Sequence, residues 1–154
     1  MTNQPLRSWQ CDTCSEPITD PNAALVVWPT DEQHCGHGFQ LVHKSIDGRT
    51  CDPEARSGYV SSLELSSFLG PDGVARLLSW LSTGPVWDEP GRVLVKNFDE
   101  YVDLFRRVQT PWYEEARPHF NDEATHHWLD DANEILPYMP ETLHRVATGT
   151  LGRQ

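Results

Sequence analysis

Cys11 and Cys14, separated by Asp12 and Thr13, carry the clearest chemistry in this chain. A tight turn aims two thiolates at that spacing toward one point, which suits a metal ion that takes soft or borderline donors in a tetrahedron. Cys35 and Cys51 are the other two cysteines, and no cysteine follows residue 51. In a reducing compartment disulfides rarely persist, so thiols clustered in this way point to metal rather than to cross-links. The expectation is one structural zinc ion held by Cys11 and Cys14 with two further donors. Three pairs compete for the remaining positions: His43 with Cys51, Cys35 with Cys51, and Cys35 with His37.

The elements around these donors help to rank the pairs. Ala24 to Trp28 and Phe39 to Lys44 are short runs rich in Val, Leu and aromatics, separated by a polar stretch with two glycines, and together they read as a β-hairpin. A strand rises about 3.3 Å per residue, so a hairpin tip near Cys35 stands roughly 15 to 25 Å from the base where the first two thiols enter. His43 and Cys51 leave near that base, which places them first, Cys35 with Cys51 second, and Cys35 with His37 last. In an extended segment the period of two puts Phe39, Leu41 and His43 on one face.

Trp9 and Ile18 flank the cysteine pair, and Trp9, Cys11, Cys14 and Ile18 together resemble the knuckle of zinc-ribbon and rubredoxin-like modules. The resemblance spans residues 9–51 and implies a second ligand pair beyond a hairpin. The chain departs from that pattern because no second CxxC is present. It also resembles small bacterial proteins with an N-terminal cysteine knuckle and a helical C-terminal part, a likeness that implies no activity.

Beyond residue 60 the pattern turns helical. Ser61 or Ser62 is expected to cap a short helix that Gly70-Pro71 ends. Val74, Leu77, Leu78 and Leu81 form the stripe of one buried helical face, with Trp80 off it, and Gly84-Pro85 is the stop. Residues 85–92 read as a loop leading to a short strand at Val93-Leu94-Val95. Asn97 with Glu100 approximates a capping box ahead of a second stripe at Tyr101, Leu104, Phe105 and Val108. Thr110-Pro111 opens a short helix, and Asn121 or Asp122 opens one expected to run to Leu136 with Ala124, Trp128, Ala132 and Ile135 inward. Residues 140–147 make the last turns. The predicted class is α+β: a small N-terminal zinc-bound β-hairpin module over residues 1–60, packed against a C-terminal bundle of four to six short helices over 61–154.

Lys plus Arg number 12 against 23 Asp plus Glu, a net charge of −11. Residues 1–60 carry 4 cations against 8 anions and residues 61–154 carry 8 against 15, so neither half is basic. Nucleic acids and anionic membranes are both bound largely through cations, and this balance argues against either as a partner. No stretch approaches the roughly 20 apolar residues of a membrane span, and MTNQPLRSWQ lacks a signal peptide's apolar block, so a cytoplasmic protein is expected. Asp122, His126 and Asp130 share a helix face at a spacing of four, as do Glu123, His127 and Asp131, and either trio is a solvated acidic face before it is a second metal site. No phosphate loop, nucleophile elbow or HExxH motif occurs. The leading expectation is an acidic, zinc-stabilised module for protein interaction or regulation. A small metal-dependent hydrolase and a zinc-ribbon nucleic-acid binder are the alternatives.

Overall fold

Val26, Val27 and Trp28 follow one another in a strand whose β-branched and aromatic side chains suit a pleated surface buried on both faces. This strand, β3 (Ala24–Trp28), is the centre of a three-stranded antiparallel sheet in the computed structural model, which describes residues 6, 8–53, 61–87 and 93–152. On one side β4 (Gln40–His43) pairs with it in the register Ala24 to His43 and Val26 to Leu41. On the other side lies β5 (Ser61–Glu64), with Val26 opposite Leu63. A separate two-stranded ribbon joins β1 (Trp9–Gln10) to β2 (Pro17–Ile18). The chain falls into two compact units, Trp9–Gln109 and one built on Thr110–Gln154. The expected boundary at residue 60 abuts residues 54–60, and the expected loop over 85–92 runs into 88–92; both segments lie outside the described residues.

The predicted α+β class is the observed one, with five α-helices among the described residues. The helix expected from Ser61 or Ser62 is instead β5 followed by a 3-10 turn over Leu65–Phe68. The free edge of β3 supplies a ladder of partners there, and the alternating burial of Ser61 to Glu64 fits a strand on that edge. Gly70-Pro71 does not merely end that turn. It begins α1 (Gly70–Leu81), with Pro71 in the first turn, where a missing N–H costs nothing.

The buried face of α1 is rotated from the expected stripe. Gly73 and Leu77 are buried, Leu78 is exposed, and Trp80 packs with its ring centroid 4.9 Å from Trp28 and 5.8 Å from Phe39. The cause is Gly73. A Cβ there would stand 2.1 Å from the carbonyl carbon of Phe68 and 2.2 Å from its oxygen, so the missing side chain lets the helix roll its 73, 77, 80 face onto the sheet. Phe68 also meets Trp80 edge-on at 5.9 Å, completing an aromatic cluster that includes Tyr101.

α2 (Phe98–Gln109) opens as expected, the Asn97 side chain accepting the Glu100 N–H at 3.1 Å. The Glu100 carboxylate, however, accepts the Gly38 N–H at 2.8 Å instead of closing a capping box. Val93-Leu94-Val95 forms only an isolated parallel bridge from Val95 to Gly36. In the second unit α3 (Tyr113–Ala116) and α5 (Pro140–Thr148) enclose Tyr113, Ala116, Leu143 and Val146, and α4 (Glu123–Leu129) lies between them in sequence. No helix among the described residues is long and apolar enough to cross a membrane.

Gly73→Ala tests the close approach. Alanine is favoured in a helix interior by about 1 kcal/mol over glycine. The backbone clash reverses this, and a net loss of about 1–3 kcal/mol in urea unfolding is expected. A gain in stability would show that the helix does not need its contact with Phe68.

Candidate metal centre

β1 and β2 are two residues each, and pairing Trp9 with Ile18 buries both side chains. Between them the chain turns through Cys11 to Glu16, with the Cys11 N–H donating to the Glu16 carbonyl at 3.0 Å and the Ser15 N–H to the Cys11 carbonyl at 2.9 Å. Ser15 takes a left-handed conformation at φ 65°, which closes the knuckle. The turn leaves Cys11 and Cys14 on one side.

The knuckle is fastened to the edge of β4 by the residue between its cysteines. The Asp12 N–H donates to the Leu41 carbonyl at 2.8 Å, and the Leu41 N–H donates to an Asp12 carboxylate oxygen at 2.8 Å. The same oxygen accepts from Arg107 Nη1 at 2.6 Å, while Arg107 Nη2 donates to the Gln10 carbonyl at 3.1 Å. Trp9 Nε1 donates to the Arg107 carbonyl at 3.1 Å. Two residues beyond Leu41 stands His43.

Cys51 reaches the same place by a device present but unused in the sequence reading. Asp47 and Gly48 have φ of 48° and 73°, and Ile46 and Arg49 exchange both backbone hydrogen bonds at 2.8 Å. This is the two-residue Asp-Gly hairpin turn, which requires positive φ at both central residues. It reverses the chain after β4, and Thr13 Oγ1 donates to the Cys51 carbonyl at 2.7 Å.

The structure therefore brings Cys11, Cys14, His43 and Cys51 together, one donor atom from each within 4.8 Å of the others. Cys35 and His37 lie outside this group. The Cys35 thiol donates instead to the Val93 carbonyl at 3.6 Å. Cys14 Sγ is 3.5 Å and Cys51 Sγ 3.9 Å from His43 Nδ1. A tetrahedral ion about 2.3 Å from each sulfur and about 2.0–2.1 Å from nitrogen sets sulfur-to-nitrogen separations of about 3.6 Å. The donors already stand near those separations.

The imidazole is oriented for the task. Its Nε2 lies 3.1 Å from the Pro17 carbonyl, which can only accept, an arrangement that favours the tautomer with its proton on Nε2, and Nδ1 faces the sulfurs. Cys11, Cys51 and His43 are 1%, 4% and 8% exposed, and Cys14 is half-buried. Burial pushes the Cys51 thiol up to about 12, and the neighbouring Cys14 and Cys11 side chains add to the rise. Burial also acts upward on Cys11, but the backbone N–H groups of Cys14, His43 and Thr13 donate to its sulfur and bring it down to about 7. Backbone donors aimed at a sulfur favour its thiolate, the form that ligates metal.

The second constellation does not assemble. α4 ends at Leu129, so Asp130 and Asp131 fall beyond the helix that was to carry them. Asp122 is exposed and pairs with His119 at 2.8 Å. Among the described residues the four-residue group above is the one that meets the geometry for a metal ion.

The Asp12–Arg107 pair sets a prediction. The Arg107 side chain is 3% exposed and that of Asp12 22%, so Asp12→Ala leaves a guanidinium in the interior, whereas Arg107→Met leaves a carboxylate that water can reach. Removing one partner of a buried pair costs about 3–5 kcal/mol, and the partial exposure of Asp12 reduces this. Asp12→Ala is expected to cost about 2–4 kcal/mol in urea unfolding and Arg107→Met less. The opposite order would show that Arg107 stabilises this unit through contacts other than its pair with Asp12, such as its bond to the Gln10 carbonyl.

No protein-family model, no curated protein and no solved structure matches the chain.

Proposed function

We propose that the chain is an acidic protein-interaction or regulatory module whose N-terminal part is stabilised by one structural zinc ion on Cys11, Cys14, His43 and Cys51. The observation that carries the reading is the convergence of three sulfurs and one imidazole nitrogen within 4.8 Å. Three thiolates and an imidazole in a tetrahedron suit zinc among the common divalent ions. The donor count supports a structural role, since a catalytic zinc keeps one position for water. Free thiols suit a reducing compartment, which is why the cytoplasm is the proposed location. The net charge of −11 favours a protein partner over nucleic acid.

Metal analysis of purified protein is expected to give one zinc per chain. Cys11→Ser, Cys14→Ser, His43→Ala and Cys51→Ser each lower the zinc content, and Cys35→Ser leaves it unchanged. A chelator is expected to remove the zinc and to lower thermal stability, because ligands gathered only in the folded chain convert metal affinity into folding free energy. Loss of the metal with an unchanged circular dichroism spectrum and melting temperature would refute the structural role.

The thiols add a pH dependence. In the metal-free protein the Cys51 thiol, pushed up to about 12, is protonated at neutral pH, so loading zinc expels its proton. Bound metal holds the thiols ionised and thus lowers their pKa in the folded state. The stabilisation it supplies is present at neutral pH and lost as pH falls and protons compete for sulfur. Titrating zinc into a weakly buffered sample should acidify it, and apparent affinity should rise with pH. Loading without proton release would place the sulfurs outside the coordination shell.

A further inference from the structure

The segment between Arg117 and Arg145 contains six Asp or Glu residues and no Lys or Arg. All six carboxylates are exposed. Asp122 and Glu141 are paired, with His119 and Arg145, whereas Glu123, Asp130, Asp131 and Glu134 enter no ion pair among the described residues. Residues of this segment and Val146 line a cleft of about 610 Å³ whose apolar lining is Phe120, Leu129, Pro137, Tyr138 and Val146. Glu123 and Asp130 line it too.

The apolar surface continues past the cleft. Ile135, Leu136 and Met139 are 62%, 40% and 47% exposed, and they flank the lining residues Pro137 and Tyr138. Four of the five consecutive residues Ile135 to Met139 are thus large, apolar and exposed, Tyr138 among them, a grouping that soluble surfaces rarely carry without a use. The inward face anticipated from the spacing is likewise uncovered: Ala124 is exposed and Trp128 half-buried, and Thr125 is the buried residue of α4. A small molecule seated in the cleft would leave Ile135 and Met139 in water. An extended or helical segment of a second protein covers cleft and ridge together.

We infer that this surface of the C-terminal unit binds a cationic amphipathic segment of a partner protein. Its apolar side chains enter the cleft and cover the ridge, and its Lys or Arg residues face Glu123, Asp130, Asp131 and Glu134. Charge selects the occupant. A second copy of this chain would set like charges against each other, and anionic lipid or nucleic acid would meet the same repulsion. The inference rests on the interaction reading proposed above and is independent of the metal centre.

The test uses the full-length, zinc-loaded chain and two synthetic amphipathic peptides of equal length and identical apolar residues, one carrying Lys and Arg at its polar positions and the other Glu. Amide shifts in NMR titration are expected to map to Phe120–Val146 for the cationic peptide and to be absent for the anionic one. Ile135→Ser should weaken the cationic peptide about tenfold, as loss of a central apolar contact does. Asp130→Asn combined with Glu134→Gln should weaken it about threefold to tenfold and flatten its dependence on salt. All three positions are exposed, so the variants are expected to keep the wild-type zinc content and melting temperature, recorded on the same samples. Equal binding of both peptides, shifts confined to Trp9–Gln109, or no effect of Ile135→Ser would overturn the inference. So would a concentration-dependent dimer in sedimentation that Ile135→Ser abolishes. A loaded, stable protein that ignores the cationic peptide refutes this surface and leaves the metal reading intact, while loss of zinc without loss of structure refutes the metal reading and leaves the surface.

Discussion

Asp12 occupies the turn between two cysteines, and three hydrogen bonds meet on it. Its N–H and carboxylate take up the Leu41 carbonyl and N–H, and the same carboxylate pairs with buried Arg107. An edge strand leaves a row of unpaired backbone groups, and here one amide and one side chain take up those of Leu41 where a fourth strand would otherwise lie. The knuckle is thereby registered to β4 at Leu41. Because side chains alternate, His43 shares the face of Leu41 and is carried to the thiols. A slip of one residue in that register would turn the imidazole to the opposite face, so the metal centre depends on the docking of Asp12 more than on any property of the cysteines themselves.

Arg107 links this docking to the helical part of its own unit. It stands on the last turn of α2 and reaches both the Asp12 carboxylate and the Gln10 carbonyl, while its own carbonyl receives the Trp9 indole. A guanidinium suits this position because its planar fork can serve two acceptors at once. The side chain is buried, so its charge must be matched, and Asp12 is the match.

Local signals were legible in the sequence and long-range ones were not. The cysteine knuckle, the short strand runs of β3 and β4, the Asn97 cap and three of the four residues of the second stripe, Tyr101, Leu104 and Val108 with Phe105 only half-buried, follow from spacings of two to four residues. The Asp47-Gly48 turn was equally local and passed unread, although its two positive φ angles are what return Cys51 to His43. The face of α1 was misplaced because periodicity weighs apolar residues and gives no weight to the glycine that lets Trp80 turn inward. The helix expected to reach Leu136 ends at Leu129. Farther along, the Asn133 carboxamide oxygen accepts the N–H groups of Ile135 and Leu136 at 3.1 and 2.9 Å, a local alternative to the helical ladder there. The Asp12–Arg107 pair spans 95 positions, and no spacing rule reaches that far.

The sizes of the elements explain why a metal belongs at this place on the proposed reading. β1 and β2 contribute two residues each, and a lone two-stranded ribbon is marginal in water. Its buried side chains are Trp9, Cys11 and Ile18, too few to hold the turn against the entropy of ordering it. The four donors come from three short stretches: the knuckle, the end of β4, and the chain just past the Asp47-Gly48 turn. One ion on all four closes the loops from Cys14 to His43 and from His43 to Cys51 together. Such closure restrains the unfolded chain without adding apolar bulk. A divalent cation would also offset the charge of a Cys51 thiolate, which burial otherwise disfavours.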